Sequence, residues 1–154
     1  MEALHISFEG ETIPLDPTDQ GEIQAKFLIF LETAHLHGRS VNLHLAGIQE
    51  IQELNRSYRN RDQATDILSF AYGLEEEPIG DLALCLEVAK TQAKQNGWEL
   101  KIEILRLLAH GLVHLMGYDH ETGAEEKEML EIEIRLLNAA DLREIYPSAG
   151  TTST

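Results

Sequence analysis

The most constraining stretch of the chain is eleven residues long: His110-Gly111-Leu112-Val113-His114-Leu115-Met116-Gly117-Tyr118-Asp119-His120. Three of the seven histidines fall within it. Helical residues four apart share a face, so His110 and His114 can aim two imidazoles at one centre. Gly117 then stops the helix, because a helix end often needs a left-handed residue and glycine takes that conformation without a steric cost. The chain can double back and bring His120 to the same centre. Three neutral imidazoles around an open fourth position form the ligand set of a catalytic zinc ion. Any one of these histidines alone reads as an ordinary polar residue. The three offsets together with the glycine are what point to a metal.

The metzincin peptidases carry H-E-x-x-H-x-x-G-x-x-H. The three histidines and the glycine of this chain sit at those offsets, but Gly111 stands where the peptidase has its glutamate. That glutamate is the general base of peptide hydrolysis. The sequence therefore keeps a metzincin-like three-histidine metal site and lacks the peptidase base. Nickel remains an alternative to zinc, since imidazole suits several transition metals.

Around this stretch the hydrophobic periodicity alternates between strand and helix. Leu4, Ile6 and Phe8, then Val41, Leu43 and Leu45, alternate with polar residues and predict two half-buried strands. Ile67–Tyr72 and Ile79–Leu86 predict two more. A first helix is expected from about Gln20 to His37, capped by Asp19 or Thr18 and ended by Gly38. A second follows Gly47 and ends near Tyr58; a third runs from about Glu87 to Gln95, before Asn96-Gly97. The fourth, about Glu99 to Met116, is apolar over most of its circumference and should be central. Thr122-Gly123-Ala124-Glu125 fits a capping box for a fifth, reaching about Asp141, whose glutamates read as a solvated face. The expectation is one α+β domain over residues 1–147, with one small mixed sheet of about four strands and about five helices. Residues 148–154 read as a flexible tail.

Composition limits the functional classes. At 154 residues the chain can bury a real core. Its single cysteine, Cys85, permits no intramolecular disulfide and reads as a small core residue. The opening residues show no basic region followed by an apolar run, and no apolar run is long enough to span a bilayer. These features predict a cytoplasmic protein with no membrane partner. A net charge of −15 opposes long-range attraction to nucleic acid. A nucleic-acid enzyme of this charge needs a local basic patch and its metal, or a basic protein partner. Arg56, Arg59 and Arg61 form the one cluster of three arginines. Arg59 is a candidate for binding a phosphate with its planar fork, although the cluster reads equally well as a solvated loop. His5, His35, His37 and His44 have no partner spacing and read as surface residues, and Trp98 as a core plug.

The stretch His110 to His120 resembles the H-G-x-L-H-L-x-G-Y-D-H signature of the bacterial YbeY family. Leu54-Asn55, Tyr58-Arg59, Asp62 and Thr65–Phe70 resemble that family's L-N-x-x-Y-R-x-x-D-x-x-T-D-V-L-S-F segment. Gly80–Cys85 resembles its G-D-I-x-I-C strand, and Met129, Glu133 and Leu137 its M-x-x-x-E-x-x-x-L tail. Ala64 departs from a usual proline, and Val113 from a usual leucine. The resemblance implies a single-strand-specific, metal-dependent endoribonuclease acting in 16S rRNA 3′-end processing and ribosome quality control. It implies one zinc ion per chain on His110, His114 and His120, and Arg59 acting at the phosphate. The implied partners are single-stranded rRNA and the ribosome or its proteins. Two other readings remain: a zinc peptidase without its base, and a non-enzymatic assembly factor with structural zinc. A fourth protein ligand such as Asp119 or Cys85 would favour the latter.

Overall fold

The computed structural model describes residues 3–10, 12–118, 122–143 and 145. Four strands and five helices follow in the order β1 (Leu4–Phe8), α1 (Pro17–Thr33), β2 (Val41–Ala46), α2 (Ile48–Arg59), β3 (Ile67–Ala71), β4 (Gly80–Cys85), α3 (Leu86–Asn96), α4 (Leu100–Leu115) and α5 (Gly123–Ala139). The sheet order is β1-β2-β4-β3. β1, β2 and β4 run parallel, while β3 pairs antiparallel with β4 and forms one edge. The expected mixed α+β domain is the architecture found.

Strand alternation sorts the two faces of the sheet. Val41, Leu43, Leu45, Leu82 and Leu84 face a large core shared with α1, α4 and α5. Leu68, Ala83 and Cys85 face a smaller cluster under α2, with Ile51 and Leu54. Helix α4 is the central element, since eleven of its sixteen residues are buried. A buried carboxylate anchors its first turns. Glu103 accepts from Trp98 Nε1 at 2.9 Å, Gln92 Nε2 at 2.7 Å and Arg106 Nη2 at 2.5 Å. These partners satisfy a charge that would be costly to bury alone. Trp98 is thus a packed residue with a polar task, tying α3 to α4 through its indole N–H.

Two helix ends differ from the sequence expectation. α1 begins at Pro17, with Asp16 accepting from the Thr18 N–H at 2.8 Å. Asp16 is the cap rather than Asp19 or Thr18, and proline at the first position suits a helix start because its missing N–H has no helical partner there. α1 also ends at Thr33, four residues before His37. His35 adopts the left-handed conformation, φ 62°, and the Leu36 N–H returns to the Leu31 carbonyl. A histidine therefore makes the stop that Gly38 was expected to make. The expected tail at 148–154 lies outside the described residues, and among the described residues no helix is long and apolar enough to cross a membrane.

Candidate metal centre and cleft

The last two turns of α4 deliver His110 and His114 to the floor of a cleft of about 680 Å³. The helix then stops as the sequence requires. Gly117 takes φ 97°, its N–H bonds the His114 carbonyl at 2.9 Å, and the Tyr118 N–H bonds the Val113 carbonyl at 3.4 Å. This is the Schellman pattern. It satisfies carbonyls of the very turn that carries His114, and so fixes the end of the helix.

The two imidazoles are set for a shared ligand. Their rings cross at 79°, with Nε2 of His114 3.1 Å from Nε2 of His110. Two nitrogens about 2.0–2.1 Å from one tetrahedral zinc stand about 3.3 Å apart, so the pair fits a common metal. Glu133 of α5, 5% exposed, accepts a hydrogen bond from the Nδ1–H of His110. A carboxylate only accepts, so Nδ1 is the protonated nitrogen and Nε2 presents its lone pair to the cleft. A carboxylate behind a ligand histidine is the usual means of fixing tautomer and ring angle.

Glu133 was expected on a solvated glutamate face. Its neighbours explain why it is buried: Met129 lies four residues before it and Leu136 three after, both buried. The helical period places position 133 inside that stripe. The charge of the residue obscured its position.

His120 and Asp119 lie outside the described residues. Among the described residues no group of three histidines, cysteines or carboxylates gathers around one point. Cys85 is buried in the cluster under α2, on the face of the sheet away from α4, and so is no ligand to this centre.

Gly111 points into the sheet. A Cβ there would stand 2.8 Å from Leu82 Cδ2 and 3.2 Å from Ile67 Cδ1. A side chain at position 111 would therefore have to displace the buried ends of Leu82 and Ile67.

The opposite wall of the cleft comes from the end of α2 and the segment leading to β3. Arg59 is the last residue of α2, whose end is set by Asn60 in the left-handed conformation. The Arg59 Nη2 donates to the Ser69 carbonyl at 2.6 Å, and its guanidinium lies 5.9 Å from the centre of the Phe70 ring. Phe70 in turn meets the edge of Tyr58. Arg59 is thus tethered by one arm of its fork and supported from below. Arg61, Thr65 and Asp66 also line the cleft. Buried Asn55 holds the connecting segment, donating to the Gln63 carbonyl at 2.9 Å. The structure brings Arg59, His110 and His114 to one cleft. On the far face of the sheet, His44 is half-buried between Ser7 and Glu50 rather than at the surface.

A family model described as Endoribonuclease YbeY matches residues 5–141. The chain belongs to the YbeY family. An endoribonuclease YbeY of Aquifex aeolicus is 40% identical over 112 residues, covering 70% of this chain and 75% of that one. A YbeY of Staphylococcus aureus is 43% identical over 106 residues, covering 61% and 68%. A Thermotoga maritima protein solved in solution superposes with a TM-score of 0.64 at 25% identity, over 97% of each chain. The YbeY match spans every element from β1 to α5, so the cleft described above belongs to the part that is matched.

Proposed function

We propose that this YbeY protein is a zinc-dependent endoribonuclease that cuts single-stranded RNA in rRNA maturation. His110, His114 and His120 hold the metal and Arg59 engages the scissile phosphate. The observation that carries the reading is the convergence of two imidazole Nε2 atoms and a tethered guanidinium on one cleft.

Zinc bound there would supply a Lewis acid and a water ionising near neutrality. The protein's own contributions follow from its geometry. Glu133 holds His110 in one tautomer, so no reorientation is needed when the site is filled. Arg59 places a fixed cation beside the histidines, where charge on a phosphate's non-bridging oxygens must be offset. Its tether to Ser69 and its seat on Phe70 reduce the side-chain entropy lost on binding. The cleft supplies local cations, Arg59 and Arg61, on a chain whose net charge of −15 repels RNA elsewhere. That imbalance also suits a basic ribosomal protein as the partner that brings enzyme to substrate, in the cytoplasm where rRNA matures.

The peptidase reading lacks its general base, because Gly111 carries no carboxylate, and a side chain there would press on Leu82. The structural-zinc reading loses Cys85 as a fourth ligand, since it lies on the far face of the sheet.

The test compares wild type with Arg59→Ala, Arg59→Lys and Arg61→Ala in single-turnover cleavage of one labelled single-stranded RNA, with metal content measured in parallel. Arg59→Ala should keep its metal and lose on the order of 10²–10³ in rate, as loss of one preorganised donor does. Lysine should rescue in part, lacking the bidentate fork. Arg61→Ala should alter little beyond salt dependence. A metal-loaded Arg59→Ala protein that cleaves like wild type would remove Arg59 from the reaction.

A further inference from the structure

We infer that the outer edge of β3 is a phosphate-binding track, on which the amide N–H groups of Ser69 and Ala71 hold the backbone of single-stranded RNA beside the scissile phosphate. The inference rests on the reading of RNA as substrate.

The strand's hydrogen-bond parity carries it. In an antiparallel pair, alternate residues turn both backbone groups toward the partner and the others turn both away. The Tyr72 N–H bonds the Ile79 carbonyl at 2.9 Å, and the Cys85 N–H bonds the Asp66 carbonyl at 2.9 Å. Even-numbered residues of β3 therefore face β4. Ile67, Ser69 and Ala71 turn their backbone groups outward, where the sheet ends. Two contacts agree with this parity. The outward Ile67 N–H meets the Asp66 carboxylate at 2.7 Å, and the outward Ser69 carbonyl receives Arg59 at 2.6 Å. Ile67, Ser69 and Ala71 all line the cleft that holds His110 and His114.

A bare strand edge offers donors and acceptors alternately and suits another strand. This edge is different. Arg59 occupies the Ser69 carbonyl, and so replaces an acceptor with a cation. Between the outward Ile67 and Ala71 carbonyls, what remains beside it are the N–H groups of Ser69 and Ala71, two residues apart, or about 6.6 Å along a strand. Two donors on either side of one fixed positive charge match an anionic backbone of repeating phosphates. An added peptide strand would need the Ser69 carbonyl that Arg59 already takes. The edge thus favours RNA over an extended peptide, and it binds through the phosphate, without reading base identity.

The test removes one N–H and leaves every charge in place. Proline at an outward position of an edge strand sacrifices no ladder bond, so Ala71→Pro is the first variant. An amide-to-ester replacement at residue 71 is the second, and serves if proline perturbs the fold. Enzyme-excess cleavage of a labelled single-stranded RNA gives the half-saturating concentration and the saturating rate, each across a salt series. Both variants should raise the half-saturating concentration on the order of 10–100-fold, as expected for one hydrogen bond to a charged group. The saturating rate should stay near wild type, because binding to a neighbouring phosphate is made equally in ground and transition states. The salt slope should also be unchanged, since no cation is removed, whereas Arg59→Ala should lower it by about one. Half-saturation at the wild-type concentration in both variants would overturn the track while leaving the nuclease reading intact. Displacement of RNA by a neutral extended peptide would overturn it in favour of strand addition. A wild-type protein that neither binds nor cuts RNA would sink the nuclease reading and the track together.

Discussion

Gly111→Ala sets two opposed terms against each other. Alanine in a helix interior is favoured over glycine by about 0.8–1.0 kcal/mol. In α4 the new methyl would stand 2.8 Å from Leu82 Cδ2, and 3.2 Å from both Leu82 Cδ1 and Ile67 Cδ1. Leu82 is fully buried between sheet and helix and cannot swing into solvent. Forcing a methylene into such a core costs about 1–3 kcal/mol. The steric term wins, and the net destabilisation should be about 1 kcal/mol, or roughly 2–4 °C in Tm for a chain of this size. Urea unfolding of the metal-loaded protein measures it, with the midpoint lowered and the slope unchanged. The strain falls on the residue next to His110, so RNA cleavage should drop as well. A variant stabilised by about 1 kcal/mol would refute the reasoning, because the sheet would then yield to a side chain. The steric case against a peptidase glutamate at this position would go with it. Gly111→Glu, which adds a buried charge to the same clash, should be far less stable and should gain no activity on casein.

Other outcomes follow from the same geometry. His114→Ala should lose bound metal, and some stability with it, because metal binding couples to folding; unchanged metal content would remove His114 from the site. Glu133→Gln should weaken zinc affinity on the order of 10–100-fold, measured by competition with a chromophoric chelator, with cleavage recovering at excess zinc. Glu103→Ala should cost roughly 2–3 kcal/mol in urea unfolding, since it strands the Trp98 N–H while Arg106 keeps some access to water. The Asp81 carboxylate, accepting the Tyr72 hydroxyl, holds that phenol above its ordinary pKa. The bond is therefore intact below pH about 10 and lost as pH rises through the raised value, an effect kept small by the exposure of Tyr72 and absent in Tyr72→Phe.

What the sequence made legible was what periodicity and spacing encode. The alternation of Val41, Leu43 and Leu45, the apolar girth of α4 and the glycine after His114 sufficed for the sheet, the central helix and its stop. Strand order was not legible, because no residue in β3 marks it as an edge or as antiparallel; that emerges only from pairing with β4. The early end of α1 was hidden because His35 adopts a left-handed turn that its identity does not announce. Arg59 was singled out by residue type and by family likeness, but its orientation depends on a backbone carbonyl, which any residue at 69 would present. Glu133 was read by its charge when its position, between Met129 and Leu136, was the better guide.

The central claim is that metal held by the α4 histidines drives RNA cleavage in the Arg59 cleft. Single-turnover cleavage of a labelled single-stranded RNA, before chelation, after it, and after zinc is restored, tests that claim most directly. Cleavage should vanish with the metal and return with about one zinc per chain, while duplex RNA and casein stay intact throughout. Undiminished cleavage by folded, metal-free protein would contradict it.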